Sequence, residues 1–178
     1  MKSYLLCSTA LMLALPTTAY AAEADAPAPE IIVTGTRQVG MKAEDSPAPI
    51  QVLGSAALQS VGQQDLTQVL AQSLPSLNFQ AFGGDTANLT LTAALRGLSP
   101  NDTLVLVNGK RRHTTANLAV LGGSPYSGSA TTDFSFIPTG AISRIEVLQD
   151  GAAAQYGSDA IAGVINISLP PDSTLRSA

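Results

Sequence analysis

The pattern of apolar and polar positions predicts a domain built from short strands that begins near residue 50. Most of the candidate strands alternate apolar and polar residues with a period of two, which is typical of a sheet with one buried face. The run at 104–107 is apolar throughout and therefore predicts a strand that is covered on both faces. Asn108-Gly109 follows directly and predicts a tight hairpin, because both residues tolerate positive φ. The other predicted strands lie at 50–53, 77–80, 89–95, 144–149 and 164–169.

Apolar residues at helical spacing predict short helices between these strands. Leu66 and Leu70 share one helical face, and Asp65 is placed to cap the N-terminus of that helix. A shorter helix is predicted from Ser55, which we expect to be its cap, and a single turn is predicted at 152–154. About six short strands with two or three short helices indicate an α+β domain.

Two stretches rich in Gly and small residues interrupt this pattern, at 82–88 and 116–132. A loop as long as the second one is usually functional or mobile when it occurs inside a compact domain. We expect Phe134 and Phe136, together with Ile137, to pin its far end to the core.

The first 48 residues have a different character. A basic start, an apolar run at 5–15 and the motif Ala19-Tyr20-Ala21 predict a secretory signal peptide at 1–21. The apolar run is too short for a membrane-spanning helix, which needs about 20 residues. Residues 22–48 are predicted to be flexible, since Ala, Pro, Glu and Asp dominate much of the segment. Within them, Ile31-Ile32-Val33-Thr34 is β-prone and suited to pairing with the sheet edge of another protein.

Composition and charge argue against several classes of function. A formal net charge of −4 is the wrong sign for a general nucleic-acid binder. His113 is the only histidine, and Cys7 is the only cysteine and lies inside the predicted signal peptide. A histidine-based catalytic triad or a zinc site therefore lacks partners. We predict no enzyme activity, no metal and no cofactor.

The charged side chains of the domain are interpreted as surface groups. Glu146, Asp150 and Asp159 are the nearest carboxylates to one another in the informative region, and a surface position is favoured over a paired acid–base site. The basic run at 110–112 is interpreted as a solvated hairpin arm, the alternative being contact with acidic groups of a partner.

Several segments resemble the TonB-dependent outer-membrane receptors. The segment 30–37, Glu-Ile-Ile-Val-Thr-Gly-Thr-Arg, resembles the TonB box, and 95–100 and 103–110 resemble the central strands and hairpin of the plug domain. The similarity is densest at 137–167 and covers about 30–169. The motifs of this dense part are Arg144-Ile-Glu-Val-Leu, Tyr156-Gly-Ser-Asp and Gly163-Val-Ile-Asn-Ile.

The resemblance implies a plug domain at 49–169 and a tail at 170–178. Its fold would be a central mixed β-sheet of about four main strands with short helices and long loops. In this family the plug fills a β-barrel in the outer membrane, and the barrel binds a scarce nutrient such as an iron complex or cobalamin. TonB, energised from the inner membrane, grips the TonB box and remodels the plug so that the nutrient passes.

The same resemblance implies roles for individual residues. The segment that would bind the C-terminal domain of TonB comprises Ile31, Ile32, Val33, Thr34, Gly35 and Thr36. Candidate contacts between the plug and its barrel are Arg96, Arg144 and Glu146. The Gly-rich loops at 82–88 and 122–130 would face the nutrient.

The similarity stops near Leu169, and a barrel of about eight strands does not fit in the remaining residues. We expect a fragment of a longer receptor without its barrel, located at the outer membrane. Two alternatives stay open: a natural isolated plug, and a periplasmic module that binds TonB without transport.

Overall fold

The computed structural model of the chain describes residues 34, 41–63, 65–80, 86–120, 126–150 and 152–170. Within these ranges it forms seven strands, three α-helices and five single turns of 3₁₀ helix. The strands are β1 Ile50–Gly54, β2 Leu77–Gln80, β3 Thr92–Leu95, β4 Thr103–Val107, β5 Lys110–Arg111, β6 Arg144–Leu148 and β7 Gly163–Ser168. The helices are α1 Ser55–Ser60, α2 Leu66–Ser73 and α3 Ala153–Tyr156. The 3₁₀ turns are Ala43–Asp45, Thr86–Leu89, Pro100–Asp102, Thr139–Ala141 and Ser158–Ala160.

The central sheet is mixed and has the strand order β1-β6-β7-β4-β5. β4 pairs with β7 in parallel, whereas the other neighbours in this sheet are antiparallel. β2 and β3 form a separate antiparallel pair. β4 is buried on both faces over 103–106, because it lies inside the sheet and both faces of the sheet are covered. The prediction of an α+β domain around a mixed sheet with four main strands is confirmed.

One face of the central sheet builds the main hydrophobic core. α2 packs there with its predicted apolar face, and its N-cap forms as predicted, since the carboxylate of Asp65 accepts from Thr67 N at 2.9 Å. Burying one large aliphatic side chain contributes about 1.5–3 kcal/mol, so this face supplies much of the stability. Its largest fully buried members are Leu66, Val69, Leu70, Leu74, Leu95, Phe134, Ile145, Val147, Ile165 and Ile167.

The opposite face of the sheet is apolar at one end and polar at the other. Leu104, Val164 and Leu148 form one row across β4, β7 and β6, and the α3 region covers that row. Two residues further along the strands, Asn166 lies directly between Leu106 and Glu146. Asn166 and Glu146 are both buried, so a polar centre lies inside the second layer of the domain.

The hairpin between β4 and β5 forms at the predicted position. Asn108 has φ 50° and Gly109 has φ 75°, which are the left-handed conformations that a type I′ turn requires. The side-chain amide oxygen of Asn108 also accepts from Leu169 N at 2.8 Å, which ties the turn to the end of β7.

The strand predicted at 89–95 is shorter than expected. Residues 86–89 form a 3₁₀ turn, and the side chain of Leu89 is 73% exposed. The reason is that polar side chains satisfy the backbone there: Thr90 Oγ1 donates to the Ala87 carbonyl, and Leu91 N donates to the carboxylate of Asp133.

Two other local predictions were also wrong. Phe136 does not pin the long loop, because its side chain is 81% exposed, whereas Phe134 is buried. Ser55 does not cap α1; it is the first residue of that helix, and the N-cap is Gly54, without a side-chain hydrogen bond.

The predicted signal peptide at 1–21 lies outside the described residues, as do residues 22–33 of the predicted flexible segment. Among the helices of the described ranges, none has the length and apolar character needed to cross a membrane.

Candidate functional site

Glu146 is a buried carboxylate at the polar end of the second sheet face. Its side chain is 0% exposed. Oε1 lies 3.0 Å from Nη2 of Arg144, and Oε2 accepts two hydrogen bonds from Thr34, at 2.9 Å from the backbone N and at 2.5 Å from Oγ1. An ionised carboxylate is costly to bury unless charged and hydrogen-bonding partners surround it. The interpretation of Glu146 as a surface group was wrong, because Arg144 and Thr34 complete its environment.

The two-residue period of side-chain direction in β6 places Arg144 and Glu146 on the same face of the sheet. Arg144 and Glu146 are two residues apart in β6, so both project from the same face, while Ile145 enters the main core on the other. Asn166 is the direct cross-strand partner of Glu146, at a distance where opposed side chains interact. Its Oδ1 accepts from Gly109 N at 3.1 Å, which connects the β4–β5 hairpin to the site.

Thr34 comes from the TonB-box-like segment, 112 residues before Glu146 in the chain. It is 1% exposed, although the sequence predicts a flexible segment around it. Of the six residues assigned to TonB binding, Thr34 alone falls within the described residues; Ile31, Ile32, Val33, Gly35 and Thr36 lie outside them.

An open cleft of about 590 Å³ lies beside Thr34, Arg144 and Asn166. Its lining combines polar side chains with the apolar side chains of Leu106 and Leu169. Among the described residues, Nε of Arg144 is buried without a hydrogen-bond partner, although the side chain as a whole is 30% exposed. The lining residues are Thr34, Leu106, Asn108, Gly109, Ser143, Arg144, Tyr156, Asn166, Ser168 and Leu169.

Arg96 lies away from this cluster. It is exposed with φ 58°, and its Nη1 donates to the carbonyl of Gln149 at 3.2 Å. Gln149 follows the last residue of β6, whereas Arg144 is the first, so about 17 Å of strand separates the two ends. The structure therefore brings together Arg144, Glu146 and Thr34, and places Arg96 at the opposite end of the strand.

The basic run at 110–112 is not wholly solvated. Arg111 forms an ion pair with Asp159 at 2.6 Å and also donates to the carbonyl of Tyr156. Both charged side chains are at least half exposed, and such pairs contribute at most about 1 kcal/mol. Arg111 therefore fastens the hairpin to the α3 region, and Asp159 is a surface carboxylate as predicted.

Asn166 and Asn108 also line the cleft, although their positions in the sequence do not identify them as site residues. The sequence predicts Asn166 within the strand 164–169 and Asn108 as a turn residue. An amide in the middle of the apolar run Gly163-Val-Ile-Asn-Ile was the available signal, because a polar residue in a buried strand needs a partner. No group of three or more His, Cys, Asp or Glu side chains suited to a metal ion occurs in the part of the chain that the structure describes.

The model of the TonB-dependent receptor plug domain family matches residues 42–164, most of the chain and all seven strands but the end of β7. The chain belongs to this family. The resemblance drawn from the residues is confirmed.

Relatives of this plug domain are named as outer-membrane proteins and transporters. The iron-regulated outer membrane virulence protein of Vibrio cholerae serotype O1 is 35% identical over 130 residues, which are 72% of this chain and 18% of that protein. The vitamin B12 transporter BtuB of Photobacterium profundum is 33% identical over 167 residues, which are 94% of this chain and 25% of that protein. The chain thus spans between 18% and 25% of the length of these two relatives.

Solved structures agree with the sequence relatives. The siderophore receptor PirA of Acinetobacter baumannii is similar with a TM-score of 0.52 and 28% identity, over 72% of this chain and 18% of that one. A mutant of the ferric enterobactin receptor of Pseudomonas aeruginosa, in complex with enterobactin, has a TM-score of 0.51 and 25% identity, over 68% of this chain and 17% of that one.

Proposed function

We propose that this plug domain, joined to a β-barrel in the outer membrane, gates the energy-coupled uptake of a scarce nutrient. An iron complex or cobalamin is the proposed class of nutrient, because the relatives are named for iron regulation, vitamin B12 transport and siderophore reception. The role is that of a transport component and not of an enzyme.

The observation that carries the proposal is the position of Thr34. Thr34, which belongs to the TonB-box-like segment, donates two hydrogen bonds to Glu146 at the polar end of the sheet. A pull on 31–36 would therefore act directly on β6, which lies between β1 and β7 in the central sheet.

The proposed partner of the segment is the C-terminal domain of TonB. Ile31, Ile32 and Val33 are β-prone and suited to adding a strand to a foreign sheet edge. Affinity in that mode comes from backbone hydrogen bonds, and a proline inside the segment removes a donor.

Calorimetric titration of the chain with the C-terminal domain of TonB tests this role. The wild-type chain is expected to bind, and Ile32→Pro is expected to abolish binding. Ala26→Pro, which makes the same backbone change upstream of the segment, serves as the control and should bind like the wild type. Equal affinity of the Ile32→Pro and Ala26→Pro chains would refute strand addition by 31–36.

The barrel wall is the second proposed partner. Arg96 and Arg144 are suited to direct contact with its acidic groups, since Arg96 is exposed, the side chain of Arg144 is 30% exposed, and the two lie at opposite ends of β6. Glu146 is enclosed, so we assign it an indirect part in that contact, in which it holds Arg144 in position.

A further inference from the structure

Asn108 and Gly109 form the turn of the β4–β5 hairpin, and this pair can undergo a reaction that is independent of the proposed transport role. An asparagine side chain can cyclise onto the next residue most easily when that residue is glycine, because no Cβ blocks the approach of the backbone nitrogen. Asn108 is the only asparagine in the sequence that precedes a glycine. Both turn residues are exposed, so water and base reach them.

We propose that Asn108 is a site of deamidation, and that β7 protects it by holding the two reacting groups on separate residues. In this reaction a base removes the proton of Gly109 N, and the nitrogen lone pair forms a bond to Cγ of Asn108. The Cγ–Nδ2 bond breaks, and Nδ2 leaves as ammonia after taking a proton from water. Water then opens the cyclic imide at one of its two carbonyl carbons, which leaves aspartate or isoaspartate at position 108.

The attacking nitrogen is held by Asn166. Gly109 N donates to Oδ1 of Asn166 at 3.1 Å, and Asn166 lies within β7 with 1% of its surface exposed. A hydrogen bond to an N–H group stabilises the protonated nitrogen, whereas cyclisation needs the nitrogen without its proton. Loss of this bond would also leave a buried amide oxygen without its donor, which is unfavourable.

The side-chain amide of Asn108 is held at a different residue. Its Oδ1 accepts from Leu169 N at 2.8 Å, and the backbone N of Asn108 donates to the Ile167 carbonyl at 2.9 Å. Cyclisation requires the side chain to leave Leu169 and the Gly109 nitrogen to leave Asn166. The turn must therefore separate from β7 before the reaction can begin.

The two products should differ in their effect on the hairpin. Aspartate keeps an oxygen acceptor for Leu169 N, and Asp-Gly also favours a type I′ turn. Isoaspartate carries the backbone through the side chain and so adds a carbon atom to a turn of two residues. The longer turn is incompatible with the observed pairing of Val107 with Lys110. The aspartate form should keep the hairpin, and the isoaspartate form should lose it.

Peptide mass spectrometry after incubation at mildly alkaline pH tests the site and its protection. Deamidation at position 108 should be about tenfold or more slower in the folded chain than in the guanidinium-unfolded chain, because two hydrogen bonds must break first. Asn166→Ala should raise the rate in the folded chain by about twofold to tenfold, which is the effect of one hydrogen bond. Asn101→Ala is the matched control, because it also removes an amide oxygen that accepts from a backbone N–H, that of Ala130, and it should leave the rate at position 108 unchanged.

Each part of the proposal has a result that would overturn it. An unfolded chain that stays unmodified at position 108 would reject Asn108 as a deamidation site. Equal rates in the folded and unfolded wild-type chains would reject protection by the fold. Equal rates in folded Asn166→Ala and Asn101→Ala chains would reject the part assigned to Asn166.

Amide hydrogen exchange covers the case in which Asn166→Ala does not fold. In the wild-type chain the Gly109 amide should exchange several-fold more slowly than an unstructured glycine amide, because its N–H donates to Asn166. Exchange at the unstructured rate would show that Asn166 does not hold the nitrogen. Slow exchange, together with slower deamidation of the folded wild-type chain, would support the proposal without the variant.

Discussion

Gly163 is the position at which the smallest substitution should do the greatest damage to the sheet. It begins β7 with φ +148°, a conformation that L side chains rarely adopt. A Cβ added there would lie 2.2 Å from the carbonyl oxygen of Leu148 and 2.5 Å from Cδ2 of Leu95. The Leu95 methyl group can move by a rotamer change, but the carbonyl of Leu148 belongs to β6 and moves only if the β6–β7 pair separates.

The magnitude of Gly163→Ala follows from two costs. Crowding in a packed interior costs about 1–3 kcal/mol, and holding a Cβ in a backbone region as sparsely populated as φ +148° costs about 1–3 kcal/mol. The expected loss in the free energy of unfolding is about 2–6 kcal/mol, against a total of about 5–15 kcal/mol for an ordinary domain.

Urea unfolding followed by far-UV circular dichroism measures this loss, since the chain has no tryptophan for a fluorescence signal. Gly62→Ala is the matched control: Gly62 has φ +70°, but an added Cβ meets nothing within 4 Å. The control should lose only the conformational part, about 1–2 kcal/mol. A Gly163→Ala chain that is as stable as Gly62→Ala would show that the contact with the Leu148 carbonyl imposes no cost.

Three further substitutions separate the other contributions to stability. Phe134→Ala should lower the free energy of unfolding by about 3–5 kcal/mol in the same urea assay, because it removes a fully buried ring that packs edge-on against Phe79 with centroids 5.3 Å apart. Asp65→Ala should cost about 1 kcal/mol through loss of the α2 cap and lower the thermal midpoint, whereas Asp65→Asn should keep it; equal midpoints would contradict the cap. Arg111→Gln should cost less than about 1 kcal/mol, and its effect should shrink as salt is added.

Features that depend on a few neighbouring residues were predictable from the sequence. The Asn108-Gly109 turn follows from the steric freedom of two adjacent residues, and the Asp65 cap follows from the reach of one side chain to the next turn of backbone. The opposite faces of Ile145 and Glu146 follow from the period of a strand. In each case the interaction spans fewer than about five residues, so local chemistry decides it.

Features that depend on what covers a residue were not predictable in the same way. Phe136 and Phe134 are two positions apart and both aromatic, yet one is exposed and the other is in the core. Leu89 continues the alternation of the strand that follows it, but the contacts of Thr90 and Asp133 delay the start of that strand until Thr92. A hydrophobic pattern shows which side chains would be stabilised by burial. It does not show which of them are covered by other parts of the fold.

The candidate site also combines features that the sequence determines with features that only the packing of the fold decides. By itself the sequence determined that Arg144 and Glu146 share a strand face, that Ile31–Thr34 is β-prone, and that the segments resemble a plug domain with its TonB box. Only the tertiary structure decided that Glu146 is buried, that Asn166 lies beside it, and that Thr34 is its hydrogen-bond partner. The physical reason is distance along the chain: Thr34 and Glu146 are 112 residues apart, and their contact exists only because the packing of the whole sheet brings the two segments together.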